Sequence, residues 1–199
     1  MSDTPNNLSR GHHAALPYPQ LPAFMDELRK RTAVAARALE FLILTATGTS
    51  EALNATWREF DLETAVWTIP AARMKARTAH RIPLSPRVLE ILNCQKSGQE
   101  DPVGFVFGGQ RDDRPLSNMS FAMMLRRMKR DDITAHGFRS TFSDWASEVS
   151  SFSSEVREAA LAHTIKNKAE RAYRRGDALE KRRRMMEAWM DFCAPNAAG

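Results

Sequence analysis

The stretch His136-Gly137-Phe138-Arg139-Ser140-Thr141-Phe142, running on through Trp145 to Val149, sets two faces on one helix. At helical spacing His136, Arg139 and Ser143 share a face at i, i+3, i+7, while Phe138, Phe142, Trp145 and Val149 form a separate apolar stripe. The stripe assigns the helix to a core and leaves the polar face for a ligand. An arginine engages two oxygens of an oxyanion through its planar fork, and a histidine one turn earlier adds a hydrogen bond or exchanges a proton. Taken alone, the pair fits a surface histidine and arginine with ordinary hydrogen bonds better than it fits a ligand site.

Downstream come Ala162-His163 and then Ala172-Tyr173-Arg174-Arg175, with ten positions from His163 to Tyr173. Tyr173 is one of only two tyrosines, and the other, Tyr18, sits in a polar, proline-rich leader. A phenol among arginines suits attack on a phosphodiester, because positive charge favours the phenolate and stabilises charge on the phosphoryl oxygens. Helices are predicted over 136–149, 154–162, 167–174 and 178–192. In the last of these, Trp189 and Phe192 stand one turn beyond Met185 and Met186 and make an apolar docking face, which core packing accounts for more readily than a neighbouring protomer.

Upstream, Leu21 to Lys30 and Thr32 to Thr45 read as helices, the second nearly all apolar from Ala33 to Leu44 and therefore buried. Ala65–Ile69 and Thr78–Leu84 read as strands of a small antiparallel sheet, joined by a basic connection carrying Arg73, Lys75 and Arg77. Ser85 is a candidate N-cap for a helix from Pro86, and Phe105–Gly109 suggests a brief strand. A helix from Ser117 to Lys129 gathers Arg126, Arg127, Lys129 and Arg130 at its end. Those cations suit DNA phosphates, and they equally complement the helix macrodipole. The pattern is mainly α with a small antiparallel β-sheet, an α+β domain over 21–193, with a flexible leader over 1–20 and a flexible tail over 194–199.

A chain of 199 residues that is 43% apolar supports one globular core. A net charge of +5 and a pI of about 9.6 are compatible with a polyanionic partner. Cys94 and Cys193 lack any paired spacing, which points to a reducing compartment and against a zinc site or disulfide framework. No apolar run approaches the roughly 18 residues of a membrane span. His12 and His13 in the leader have no further ligand cluster to complete a metal site.

Four segments in order, Met74-Lys75-Ala76-Arg77, His136-Gly137-Phe138-Arg139-Ser140-Thr141-Phe142, Leu161-Ala162-His163 and Arg171-Ala172-Tyr173-Arg174-Arg175-Gly176-Asp177, resemble the catalytic domain of prophage-type tyrosine recombinases, the phage-integrase family. The resemblance runs from about Ala14 to Cys193. It implies the tyrosine recombinase catalytic-domain fold and site-specific DNA cleavage and rejoining through a 3′-phosphotyrosyl intermediate, with Tyr173 as nucleophile and no cofactor. Arg139 and His163 would hold the nonbridging oxygens, His136 would accept the tyrosine proton, and Lys75 would protonate the leaving 5′ oxygen. Arg73, Arg77, Arg126, Arg127, Lys129, Arg174 and Arg175 would contact double-stranded DNA at attachment sites. Similar recombinases pack a terminal segment on a neighbouring protomer, which would make a homo-oligomer on DNA through the C-terminal face. The implied location is the bacterial cytoplasm, at the nucleoid.

Two departures qualify what is implied. Where the family pattern reads Leu-Thr-Ala-x-Arg-Thr-x-Glu, this chain has Leu44-Thr45-Ala46-Thr47-Gly48-Thr49-Ser50-Glu51, so Gly48 stands at the first catalytic arginine. A glycine there is expected to close the preceding helix with positive φ, and Glu51 to act as a second-line support that has lost its partner. Loss of one charge-stabilising donor costs on the order of 10²- to 10³-fold in rate and a whole arginine finger about 10³- to 10⁵-fold, so impaired catalysis is predicted. The second departure is extent: the pattern leads us to expect a catalytic domain without the DNA-binding domains that precede it in such recombinases. The alternative reading is an inactive remnant acting as a weak DNA-binding module. A type IB topoisomerase-like domain shares the chemistry but not the neighbouring motifs, and no carboxylate cluster beside Tyr173 suggests a metal-dependent nuclease.

Overall fold

The structure, a computed structural model, describes residues 14–96, 102–109, 114–163 and 178–194. Within them run α1 (Leu21–Arg29), α2 (Val34–Thr45), α3 (Thr49–Leu53), β1 (Phe60–Asp61), β2 (Val66–Ile69), β3 (His80–Pro83), α4 (Pro86–Lys96), α5 (Met119–Arg127), α6 (Gly137–Glu148), α7 (Ser154–Ala160) and α8 (Leu179–Cys193). The three strands form one antiparallel sheet in the order β1-β2-β3, with Trp67 opposite Phe60 on one side and Ile82 on the other.

Helix α2 is the centre of the core, as its apolar run requires. Toward the sheet, Phe41 meets the rings of Phe60, Trp67 and Phe107. Toward the C-terminal helix, the Ile43 carbonyl accepts a hydrogen bond from Trp189 Nε1 at 2.9 Å. Trp189 in turn packs on Phe142, Trp145 and Phe192, the class of buried aromatic whose truncation costs about 3–5 kcal/mol. The one acidic residue of the run, Glu40, is buried but paired: Arg29 Nε of α1 lies at 2.6 Å and Arg87 Nε of α4 at 2.9 Å. One carboxylate thus ties three helices together, and removing it would take from Arg29 its partner while Arg87 keeps Glu90 at 2.9 Å.

Several expectations are corrected. Residues 14–20, read as part of the leader, pack on the domain: Leu16 is buried, Thr141 Oγ1 donates to its carbonyl at 2.6 Å, and the Thr134 amide donates to the Ala14 carbonyl at 3.0 Å. This close approach explains Gly137, where a Cβ would collide with the Ala14 carbonyl. Phe105–Gly109 forms only isolated bridges, Thr56 with Phe105 and Gly108 with Pro115. Ser85 precedes α4, but its hydroxyl is buried without a hydrogen bond, and only its carbonyl serves the helix by accepting from the Leu89 amide. Val149 leaves the apolar stripe for solvent at 54% exposure, while Thr141 is fully buried in the same helix. The apolar face of α8 packs into the core, as the favoured reading of its sequence has it, with Met185, Met186, Trp189 and Cys193 buried and Phe192 partly buried. The helix expected over 167–174 lies outside the described residues.

Candidate active site

Helices α2 and α7 both stop in the same turn. Ala46 (φ 51°) and Ala162 (φ 52°) are left-handed. After α2, the amides of Ala46 and Thr47 donate to the carbonyls of Ile43 and Leu42, and after α7 those of Ala162 and His163 donate to Ala159 and Glu158. These paired bonds satisfy carbonyls that a helix end otherwise leaves open. Arg139, on the first turn of α6, reaches between the two ends, donating from Nη1 to the Ala46 carbonyl at 2.9 Å and from Nη2 to the Leu161 carbonyl at 2.6 Å. Two of its five N–H donors are used, which fixes the fork and leaves donors for an anion. Burial lowers its pKa, and the nearby charge of Glu51 acts in the opposite sense.

Around Arg139 opens a cleft of about 660 Å³. Gly48 enters from the α2–α3 turn, Glu51 from α3, Lys75 from the β2–β3 connection, His136 from the start of α6, and His163 from the end of α7. His163 is held twice by Glu158: its amide donates to the Glu158 carbonyl at 3.0 Å, and Nδ1 lies 2.7 Å from Oε2. That contact leaves Nε2 as the ring atom available to a ligand. His136 and Lys75 are exposed in the cleft. The Gly137 amide donates to Thr134 Oγ1 at 3.1 Å, so a threonine rather than a motif residue caps the first turn of α6.

The cleft therefore gathers Gly48, Glu51, Lys75, His136, Arg139 and His163 of the residues picked from sequence. Gly48 differs from expectation in conformation: with φ −80° and ψ 164° it is extended and precedes α3, because Ala46 has already taken the left-handed position. Arg73 has another task. Its guanidinium pairs with the Glu59 carboxylate, which also accepts from Trp67 Nε1 at 2.8 Å, and Nη2 donates to the Glu51 carbonyl at 2.7 Å. Arg77 (φ 54°) is exposed on the β2–β3 connection beside the cleft. Arg126, Arg127 and Lys129 stand exposed at the end of α5, away from the lining, with Lys129 itself the left-handed closing residue (φ 56°). Tyr173, Arg174 and Arg175, with Arg171, lie outside the described residues. The sequence reading missed Glu158 and His80, both in the lining. His80 could have been found from strand alternation, since it pairs with Ile69 across the sheet edge. Among the described residues, no group of three or more His, Cys, Asp or Glu side chains is arranged to hold a metal ion. No described helix is long and apolar enough to cross a membrane.

Comparison with known proteins adds the family. The model of the phage integrase family matches residues 15–180. The chain belongs to the phage integrase family. Among curated relatives, the prophage integrase IntA of Escherichia coli K12 is 38% identical over 87% of this chain, and the prophage integrase IntZ of the same organism is 37% identical over 95%. This integrase-family chain spans 42% of IntA and 47% of IntZ, less than half of either. Among solved structures, a lambda integrase tetramer bound to a Holliday junction superposes with a TM-score of 0.59 at 15% identity, over 83% of this chain and 51% of that one. The mostly helical domain with its three-stranded sheet has the tyrosine recombinase catalytic-domain fold.

Proposed function

We propose that this chain is the strand-cleaving and rejoining domain of a site-specific DNA recombinase, spanning at least 21–193 and acting on double-stranded DNA in the bacterial cytoplasm. The reading rests on one observation above all: Lys75, His136, Arg139 and His163, drawn from separate parts of the sequence, converge on a single cleft. Phosphoryl transfer requires little more than positioning and charge neutralisation, and those four side chains can supply both. Arg139 and His163 hold the nonbridging oxygens of the scissile phosphate. His136 takes the phenolic proton as Tyr173 Oη attacks phosphorus, and the 5′ oxygen leaves with a proton from Lys75. The 3′-phosphotyrosyl bond conserves the energy of the broken ester, and a 5′ hydroxyl reverses the step. Gly48 supplies no cation, so the proposal includes a slow chemical step.

Arg77, Arg126, Arg127, Lys129, Arg174 and Arg175 are assigned to DNA phosphates, whereas Arg73 is left out because Glu59 holds it. Binding by this domain should be phosphate-directed and fall steeply between about 50 and 200 mM salt. Assembly into an oligomer on DNA through the C-terminal segment remains part of the proposal, as does the likeness to the lambda integrase tetramer. The decisive experiment incubates the protein with a nicked suicide duplex of its attachment site. A covalent adduct that maps to Tyr173 and vanishes in Tyr173→Phe is expected. An adduct undiminished in that variant overturns the nucleophile. A folded protein that binds DNA and never forms an adduct supports the second reading, a DNA-binding remnant, which the missing cation at Gly48 favours.

A further inference from the structure

Glu51 is the third residue of α3, and its carboxylate folds back over Gly48, so that a Cβ on residue 48 would land on Oε2. Arg73 bonds Glu51 through the backbone carbonyl and gives its own charge to Glu59. The Glu51 carboxylate is thereby left to act on Arg139, whose pKa it raises against the effect of burial. Both line the same cleft. We infer that Glu51 is a resident anion of this cleft, holding by charge and by volume the place beside Arg139 that a phosphodiester takes, and so setting how strongly the cleft accepts DNA. The inference rests on the reading of the cleft as a phosphate site.

The physical case is one of like charges. A phosphodiester that approaches Arg139 carries the same sign as the carboxylate already there, and the glycine at 48 brings no cation to neutralise either. A glutamate at the third position of a helix also folds back over the residue that precedes the helix simply as a cap. The two roles separate cleanly. A cap acts on stability and is indifferent to DNA, while a resident anion acts on DNA affinity and loses its effect once a cation stands beside it.

The test measures binding of a labelled random-sequence duplex by the whole chain, with thermal unfolding run in parallel. Glu51→Gln keeps shape and removes charge, and about three- to fivefold tighter binding at 50 mM salt is expected, the size of a solvent-screened charge contact, with a smaller gain at 200 mM. Gly48→Ala provides an independent route, because its Cβ displaces the carboxylate without removing it, and binding should tighten in the same direction. In a Gly48→Arg background the sign reverses: Glu51 then pairs with the new guanidinium, and adding Glu51→Gln gives no gain or a loss. Unchanged or weaker binding in both single variants overturns the inference, as does an equal gain from Glu51→Gln with and without arginine at 48. Lys75→Ala separates this failure from that of the larger reading. If it lowers affinity and flattens the salt dependence while Glu51→Gln does nothing, the cleft holds phosphate and only the role of Glu51 is wrong. If neither variant matters, the cleft is not a phosphate site and both readings fall.

Discussion

The ends of α2 and α7 share a left-handed alanine, the same pair of closing hydrogen bonds and a carbonyl given to Arg139. They differ in what comes next. After Ala46 the chain buries Thr47, whose hydroxyl lies 2.9 Å from that of Thr45, and then delivers Gly48 and the Glu51 carboxylate to the cleft. After Ala162 it delivers at once an exposed imidazole held by Glu158. The backbone frame is thus independent of the chemistry it presents. A change at residue 48 alters the charge of the cleft while the turn that supports it, closed two residues earlier, stays intact.

Arg139 is what the two ends have in common, and its removal should have the largest effect. Arg139→Ala leaves the two carbonyls without their donor and takes a fixed cation from the cleft. A loss of about 2–4 kcal/mol in urea unfolding is expected, together with a fall of at least about 10³-fold in adduct formation on a suicide duplex. Lost activity with unchanged stability would mean that the two helix ends do not lean on this side chain.

At the α2 end alone, Gly48→Arg should raise adduct formation by about 10²-fold. Its cost in stability should stay within about 1 kcal/mol, because the backbone at 48 is extended and carries no left-handed strain. The atoms nearest to a Cβ at 48 are those of the Glu51 carboxylate, a flexible group that moves aside or pairs with the newcomer. A folded Gly48→Arg protein that binds DNA but gains no activity would place the deficit elsewhere in the chain.

At the α7 end, Glu158→Gln keeps an acceptor for His163 Nδ1 but removes its charge, and should slow cleavage about tenfold, with little change in stability because both partners are half exposed. An unchanged rate would show that His163 needs no second support. This residue also marks where sequence reading stops. Glu158 and His163 are five apart, a spacing that shares no helical face, and they meet only because α7 ends in a left-handed turn between them. A glycine would have announced that turn, but the residue is Ala162. The same misdirection operates at α2, where Gly48 invites the reading of a helix end that Ala46 in fact provides. By contrast, the helices over 21–30 and 32–45 were readable from their apolar residues, the sheet from its β-compatible stretches, and six cleft residues from the resemblance to the family. Arg73 and Arg77 could not be told apart in sequence, since only the fold brings Glu59 to one of them.

The smallest effect gives the finest comparison of the two turns. An L-residue in left-handed conformation carries a cost of roughly 1 kcal/mol that glycine does not. Relieving it is worth the same at both ends, but the methyl groups are not equivalent. Ala46 is 1% exposed and sits in the core, so deleting its methyl gives back about 0.8 kcal/mol of burial, whereas Ala162 is only partly buried. Ala162→Gly should therefore stabilise the protein by about 0.5–1 kcal/mol, and Ala46→Gly should change it by nearly nothing, as read from urea midpoints at constant slope. If both gain equally, the Ala46 methyl contributes no packing. If neither gains, the turns are not held in left-handed conformation, and the common frame that positions Arg139 between them is lost with it.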